Sequence, residues 1–122
     1  MVIGFKPQFV EPILKGIKVH TIREDNHNRW QAGMKMHMAT GVRTKNYKQF
    51  AEKICTGNRR IIIEPEKKQV SICVNSTQIK YFNEQGIETL AKNDGFNSVD
   101  DFWKWFNKPF FGKLIYWIPE PY

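Results

Sequence analysis

Four residues within one short segment concentrate the chemistry of this chain. From Gly16 to Arg23 it reads Gly-Ile-Lys-Val-His-Thr-Ile-Arg, which brings Lys18, His20, Thr21 and Arg23 close together. If the segment is extended from Lys18 onward, Lys18 and His20 project to one side and Val19, Thr21 and Arg23 to the other. A turn at Gly16 or a bulge would break that parity. Two fixed cations and a hydroxyl beside a helix end suit an anionic ligand, or an oxyanion that develops during a reaction. They equally suit an ordinary surface, where Lys and Arg are common. Arg23 has two roles open to it: binding phosphate or oxyanion, or bracing the segment through a structural ion pair.

Other reactive groups are sparse. His20, His27 and His37 lack metal-ligand spacing and no cysteine cluster accompanies them, so no metal is expected. No glycine-rich loop of the Walker or Rossmann type is present, and no cofactor is expected. Arg43, Lys45, Tyr47 and Lys48 interleave an aromatic ring with basic residues. That pattern fits a single nucleic-acid strand held by phosphate contacts and stacking, or a plain solvated loop. Trp30 and Trp105 fit either stacking platforms or core positions.

The elements that must position these residues can be read from spacing. Val2 to Phe5 reads as a strand. Phe9, Val10, Ile13 and Leu14 have helical spacing, with Pro12 tolerable near the helix start and Gly16 as its stop. Lys18 therefore begins a loop or strand just past a helix end. Met34, Met36 and Met38 alternate as on a strand with one face to the core. Residues 41–48 read as a basic loop running toward a short helix. Arg59 to Glu64 and Gln69 to Asn75 read as strands around a turn, and Gln78 to Phe82 as a third. Ile87, Leu90 and Ala91 mark a helix ended by Asp94-Gly95. Ser98 caps another, with Val99, Phe102, Trp103 and Phe106 on one face and Trp105 elsewhere. Lys113 to Ile118 closes the chain as a strand.

Short strands with helices grouped around them predict an α+β fold, a small β-barrel with flanking helices, in one domain over residues 1–122. The longest clean apolar run is Ile61-Ile62-Ile63, so no membrane span is expected. No signal peptide is read at the N-terminus, and Cys55 and Cys73 are expected to be reduced in the cytoplasm. Cys73 sits in an alternating run and reads as a small buried hydrophobe. Formal net charge is +7. It is uneven: residues 1–68 hold 14 Lys/Arg against 6 Asp/Glu, and residues 69–122 hold 5 against 6. A basic half is the footprint of a polyanion binder, although a soluble basic surface needs no partner.

The segment Gly16-Ile17-Lys18-Val19-His20-Thr21-Ile22-Arg23, preceded by a short helix, resembles the Gly-x-Lys-x-x-x-x-Arg signature of the ASCH family. Trp30-Gln31-Ala32-Gly33, Leu90 to Phe96, Asp101-Phe102 and the closing strand fall in the family's order, so the resemblance spans most of the chain. It implies a PUA-like β-barrel that binds RNA or a nucleobase ligand in a cleft over the barrel. In a basic-cleft binding module of that kind, for RNA or a nucleotide, Lys18, Thr21 and Arg23 beside Gly16 would line the floor, and the 43–48 loop with Arg43, Lys45 and Tyr47 would form a wall. One bacterial branch with a similar motif consists of amidohydrolases acting on N4-acetylcytidine, a modified nucleoside. Its proposed catalytic Lys and Thr fall on Lys18 and Thr21, and its Glu falls on Asp94, one methylene shorter. The 41–60 loop is also longer here than in that branch. Two functions from different classes follow: an RNA- or nucleotide-binding module, and an amidohydrolase using Lys18, Thr21 and Asp94. A third, a protein-interaction domain for an acidic partner, follows from charge alone.

Overall fold

The computed structural model describes all 122 residues. Strand β1 (Val2–Gly4) is followed by a 3-10 turn (Pro7–Phe9) that runs into helix α1 (Val10–Leu14). Then come β2 (His20–Arg23), β3 (Lys35–Thr40), β4 (Lys48–Ile54), β5 (Gly57–Glu64), β6 (Gln69–Asn75) and β7 (Gln78–Tyr81). Helices α2 (Glu84–Asn93) and α3 (Val99–Trp105) precede the last strand, β8 (Phe110–Tyr116).

The strands form two sheets. One has the order β1-β3-β4, with β1 parallel to β3 and β4 antiparallel to it. The other has the order β2-β8-β5-β6-β7 and is antiparallel throughout. The C-terminal strand β8 therefore lies inside its sheet, between β2 and β5.

One core joins the elements. Met36 and Met38 on β3, Ile61 and Ile63 on β5, and Val70 and Ile72 on β6 are fully buried, which is the period-two pattern of half-buried strands. The helices add Ile13, Ile87, Leu90, Ala91 and Phe102. Phe96, in the turn between α2 and α3, meets Phe9, Phe102, Trp105 and Phe106 at steep ring angles. Such edge-to-face contacts favour a fixed arrangement over a loose one. Both longer helices are capped as their sequences require. Asn83 accepts from the Gly86 N–H at 2.8 Å, and Ser98 accepts from the Asp101 N–H at 3.2 Å.

The fold is α+β, but the PUA-like β-barrel expected from the resemblance does not form. Closure requires every strand edge to be paired. Here β1 and β4 end one sheet, β2 and β7 end the other, and neither sheet closes. Between β1 and β2 a side chain stands where a ladder would run: Arg23 Nη2 donates to the Gly4 carbonyl at 2.5 Å. The two sheets thus remain separate, with an open seam at that edge.

The basic stretch 41–48 also differs from expectation. It runs into strand β4, not into a helix, because Lys48 to Ile54 pairs residue for residue with β3 around a bulge at Met38 and Ala39. No helix is long and apolar enough to cross a membrane.

Candidate functional site

Two helix ends deliver the central pair of the site. Helix α1 stops at Lys15, and Gly16 takes a left-handed conformation at φ +76°. The Gly16 N–H bonds the Ile13 carbonyl at 3.1 Å and the Ile17 N–H bonds the Pro12 carbonyl at 2.9 Å. This is a Schellman termination, and it turns the chain back so that Lys18 enters the interior. Helix α2 ends the same way. Asp94 is its C-cap, Gly95 is left-handed at φ +93°, and Gly95 and Phe96 bond the Lys92 and Ala91 carbonyls, each at 3.0 Å. The two ends are tied together by Val19 N–H donating to the Asn93 carbonyl at 2.8 Å.

The side chains then meet, although they lie 76 positions apart in sequence. Lys18 Nζ is 3.2 Å from Asp94 Oδ1 and 2.5 Å from the Asp94 carbonyl oxygen. The ammonium thus sits at the negative end of α2 as well as against a carboxylate. It also stands over the rings of Phe9 and Phe5, at 4.6 and 5.8 Å. His20 Nδ1 is 3.0 Å from the same Asp94 oxygen, and its Nε2 is 2.8 Å from the Tyr122 hydroxyl. Asn93 Nδ2 donates to that hydroxyl at 3.0 Å. On the other branch, Arg23 Nε donates to Thr21 Oγ1 at 3.1 Å. The parity read from sequence holds only in part: Lys18 and His20 share Asp94 and Thr21 and Arg23 contact each other, but Lys18, which precedes β2, lines the same cleft as Thr21 and Arg23, and His20 does not.

The centre of this arrangement is deeply buried, while Arg23, Asn93 and Tyr122 are partly exposed. Lys18 is 2%, His20 0%, Thr21 4% and Asp94 3% exposed. Burial disfavours charge, so it pulls Lys18 below the ordinary lysine range, against the opposing pull of Asp94. His20 is likewise held down by burial, against its bond to Asp94. Burial also lowers Arg23 and raises the Tyr122 phenol to about 12. A cluster of ionisable groups driven away from water is costly to a fold, and such clusters concentrate at functional sites.

Lys18, Thr21, Arg23 and Asp94 all line one cleft of about 470 Å³. That volume lies in the range of small-molecule sites. Its walls are largely apolar, from Phe5, Phe9, Phe96, Trp105, Phe106 and Phe110, with Lys6 and Glu24 at polar points. Trp105 is 42% exposed, and Lys6 Nζ stands 5.1 Å above its ring. The cleft runs along the open seam, touching Gly4 and Phe5 on one side and Thr21 to Glu24 on the other.

The remaining residues singled out from sequence sit elsewhere. Arg43, Lys45 and Tyr47 are exposed on the turn before β4 and do not line the cleft; Val42 is the residue of that turn that does. Gly16 acts through its backbone. Trp30 is buried in the core. His37 faces Glu52 at 3.5 Å, and no three His, Cys, Asp or Glu side chains are grouped to hold a metal. Sequence reasoning missed the roles of His20, Asn93 and Tyr122. The usable signal for His20 was its alternation with Lys18 beside Val19 and Ile22, which marks it as an inward polar residue on a buried strand. Nothing local marked Tyr122.

The left-handed glycines offer a controlled test. A Cβ at Gly95 would lie 2.9 Å from Lys18 Cδ and 3.0 Å from Phe9, whereas a Cβ at Gly16 meets nothing within 4 Å. Gly16→Ala is expected to cost about 1–2 kcal/mol from left-handed strain alone. Gly95→Ala should cost distinctly more, because it also pushes Lys18 off Asp94. Paired urea denaturation curves check this, and equal losses would mean that Lys18 yields freely.

Acid should also weaken the protein. The folded core keeps His20 neutral, whereas in the unfolded chain it takes up a proton below its ordinary value of 6.5. Protons therefore favour unfolding as pH drops through that value, by at most about 1.4 kcal/mol per pH unit for this one group. The melting midpoint of the native protein should fall between pH 7.5 and 5.5, and that of His20→Gln should fall less.

Family models, curated proteins and solved structures were all compared with the chain. None matches. The resemblance to the ASCH signature rests on the residues quoted above alone.

Proposed function

We propose that the cleft takes an acylated nucleoside and hydrolyses its amide bond, with Lys18, Thr21 and Asp94 as the working set. The observation that carries this reading is the meeting of Lys18 and Asp94 at the floor of a cleft that Thr21 and Arg23 also line. A half-apolar cleft of about 470 Å³ suits one ring system and its substituent better than an extended strand.

The chemistry can be written through this chain's own atoms. Lys18, whose hold on its proton burial weakens, acts as the base once that proton is released: Nζ then takes the proton of the Thr21 hydroxyl as its oxygen attacks the amide carbon. The carbonyl electron pair moves onto oxygen, with the Arg23 guanidinium as the nearby cation. Collapse breaks the C–N bond, and the departing amine takes the proton from the Lys18 ammonium. Water then cleaves the threonyl ester with the same base, restoring the Thr21 hydroxyl and releasing a carboxylic acid. The Arg23 Nε bond to Thr21 Oγ1 supports negative charge on that oxygen and leaves its proton free to depart. Asp94 and its carbonyl orient Lys18. No cofactor is needed. Two free thiols, Cys55 and Cys73, suit a reducing cytoplasm, where we place the protein.

The test is incubation of the purified protein with N4-acetylcytidine and a panel of other acylated nucleosides, followed by chromatography. Release of the free amine, lost in a Thr21 variant, supports the reading. No turnover across the panel rejects it. A second reading keeps the cleft as an RNA or nucleotide site without turnover. It is favoured by Lys6 over the exposed ring of Trp105 and by the exposed cations Arg43 and Lys45. RNA affinity that falls steeply with salt would support it.

A further inference from the structure

Behind the Lys18–Asp94 pair, away from the cleft lining, runs a second chain of contacts that the reaction above does not use. Asp94 Oδ1 meets His20 Nδ1 at 3.0 Å, His20 Nε2 meets the Tyr122 hydroxyl at 2.8 Å, and that hydroxyl accepts from Asn93 Nδ2 at 3.0 Å. Neither His20 nor Tyr122 lines the cleft. Every donor in this chain has one acceptor if His20 is neutral and carries its proton on Nδ1. Nδ1–H then donates to the carboxylate, and the Tyr122 O–H donates to Nε2. The Asn93 amide, already committed to the Tyr122 oxygen, leaves the phenol proton only one direction. The opposite tautomer would set a bare Nδ1 lone pair against the carboxylate.

We propose that His20 is a positioning residue for Lys18, held in one tautomer by Tyr122, and that it sets the proton affinity of Lys18 by sharing the Asp94 carboxylate. The physical argument is competition for one oxygen. Lys18 Nζ and His20 Nδ1 both approach Asp94 Oδ1, at 3.2 and 3.0 Å. The bond from His20 withdraws charge from that oxygen and fixes its orientation. Asp94 therefore holds the Lys18 proton less tightly than an unshared carboxylate would, which favours the neutral amine. The groups facing His20 are Asp94, Lys18 and Tyr122, and it is fully buried among them. The ring of Tyr122 is independently seated, at 5.2 Å from Phe82 and 5.7 Å from His20, so Phe can replace it with its packing intact.

This rests on the reading of Lys18 as the base, but its test does not need turnover. Nitrogen-15 NMR of the imidazole should show His20 protonated on Nδ1 and bare on Nε2 in the native protein. In Tyr122→Phe a second tautomer should become populated. Direct NMR titration of the Lys18 side chain is the decisive measurement. Its midpoint should rise in His20→Gln by about half a pH unit or more, and in Tyr122→Phe by less. Where amide hydrolysis is observed, the rising limb of kcat against pH should move up with it while KM holds. A Lys18 midpoint unchanged in both folded variants, or a native Nε2–H tautomer, overturns the proposal. Failure of hydrolysis with the Lys18 shift intact rejects the function and leaves the positioning role standing. Should His20→Gln not fold, the Tyr122→Phe shift decides alone.

Discussion

Lys18→Met should cost the fold about 3–5 kcal/mol, because it strands the Asp94 carboxylate in the interior with only His20 beside it. The size follows from burial. At 3% exposure Asp94 cannot turn to water, and its neighbours on the cleft side are aromatic rings. The companion change is Asp94→Asn in the same chain. With the charge gone from both partners, an amide oxygen still accepts from His20 Nδ1, and no uncompensated ion remains. The double variant should therefore recover at least half of the loss, giving a large favourable coupling in a double-mutant cycle. Urea denaturation at neutral pH measures all four corners of the cycle. A loss below about 1 kcal/mol in the single variant would put this pair in the class of weak surface contacts, which its burial contradicts. Both variants should be without hydrolytic activity, so stability and activity part company in the double variant.

Thr21→Val should abolish turnover, with kcat/KM falling on the order of 10³-fold or more, while KM changes little. Valine matches threonine in shape, so the cleft keeps its walls and only the hydroxyl is lost. The fold should weaken by about 1–2 kcal/mol, since Arg23 Nε loses its partner Thr21 Oγ1. Thr21→Ser keeps the nucleophile and should retain turnover within about tenfold of the native rate. Steady-state kinetics on the acylated nucleoside that the native protein hydrolyses provide the check. Activity above a tenth of native in Thr21→Val would remove Thr21 from the reaction and leave the hydroxyl a bracing group for Arg23.

Much of the scaffold was legible because its signals are local. Strand β6 coincides with Gln69 to Asn75, and β5 extends Arg59 to Glu64 only toward Gly57. Both carry β-branched runs: β5 buries alternate residues, and β6 buries Val70, Ser71 and Ile72 in succession. Gly16 and the Asp94-Gly95 pair end helices as their backbone freedom dictates. Strand β4 was hidden because Lys48-Gln49-Phe50-Ala51-Glu52-Lys53-Ile54 has no fully buried position and so no clean period. Barrel closure was expected from the run of short strands as well as from the resemblance, and it fails because it depends on edge pairing that no single strand encodes. At the site, Lys18, Thr21 and Arg23 stood out as a concentrated set, and Asp94 entered through the family resemblance. Its burial, and the addition of His20 and Tyr122, depend on contacts 74 and 102 positions apart, which periodicity cannot report.

The interior place of β8 has a consequence for how the molecule comes together. Strands β5, β6 and β7 are consecutive and antiparallel, so they can assemble as a local meander. Strand β2 has no such neighbour: its backbone partner is β8, from the far end of the sequence. Until that last strand inserts, β2, which carries His20, Thr21 and Arg23, lacks its backbone partner. Formation of the site is thus coupled to a late, long-range step of high contact order, the kind that sets a slow folding rate. On a ribosome, β2 would wait for β8 to emerge before it could pair, exposed to chaperones in the meantime.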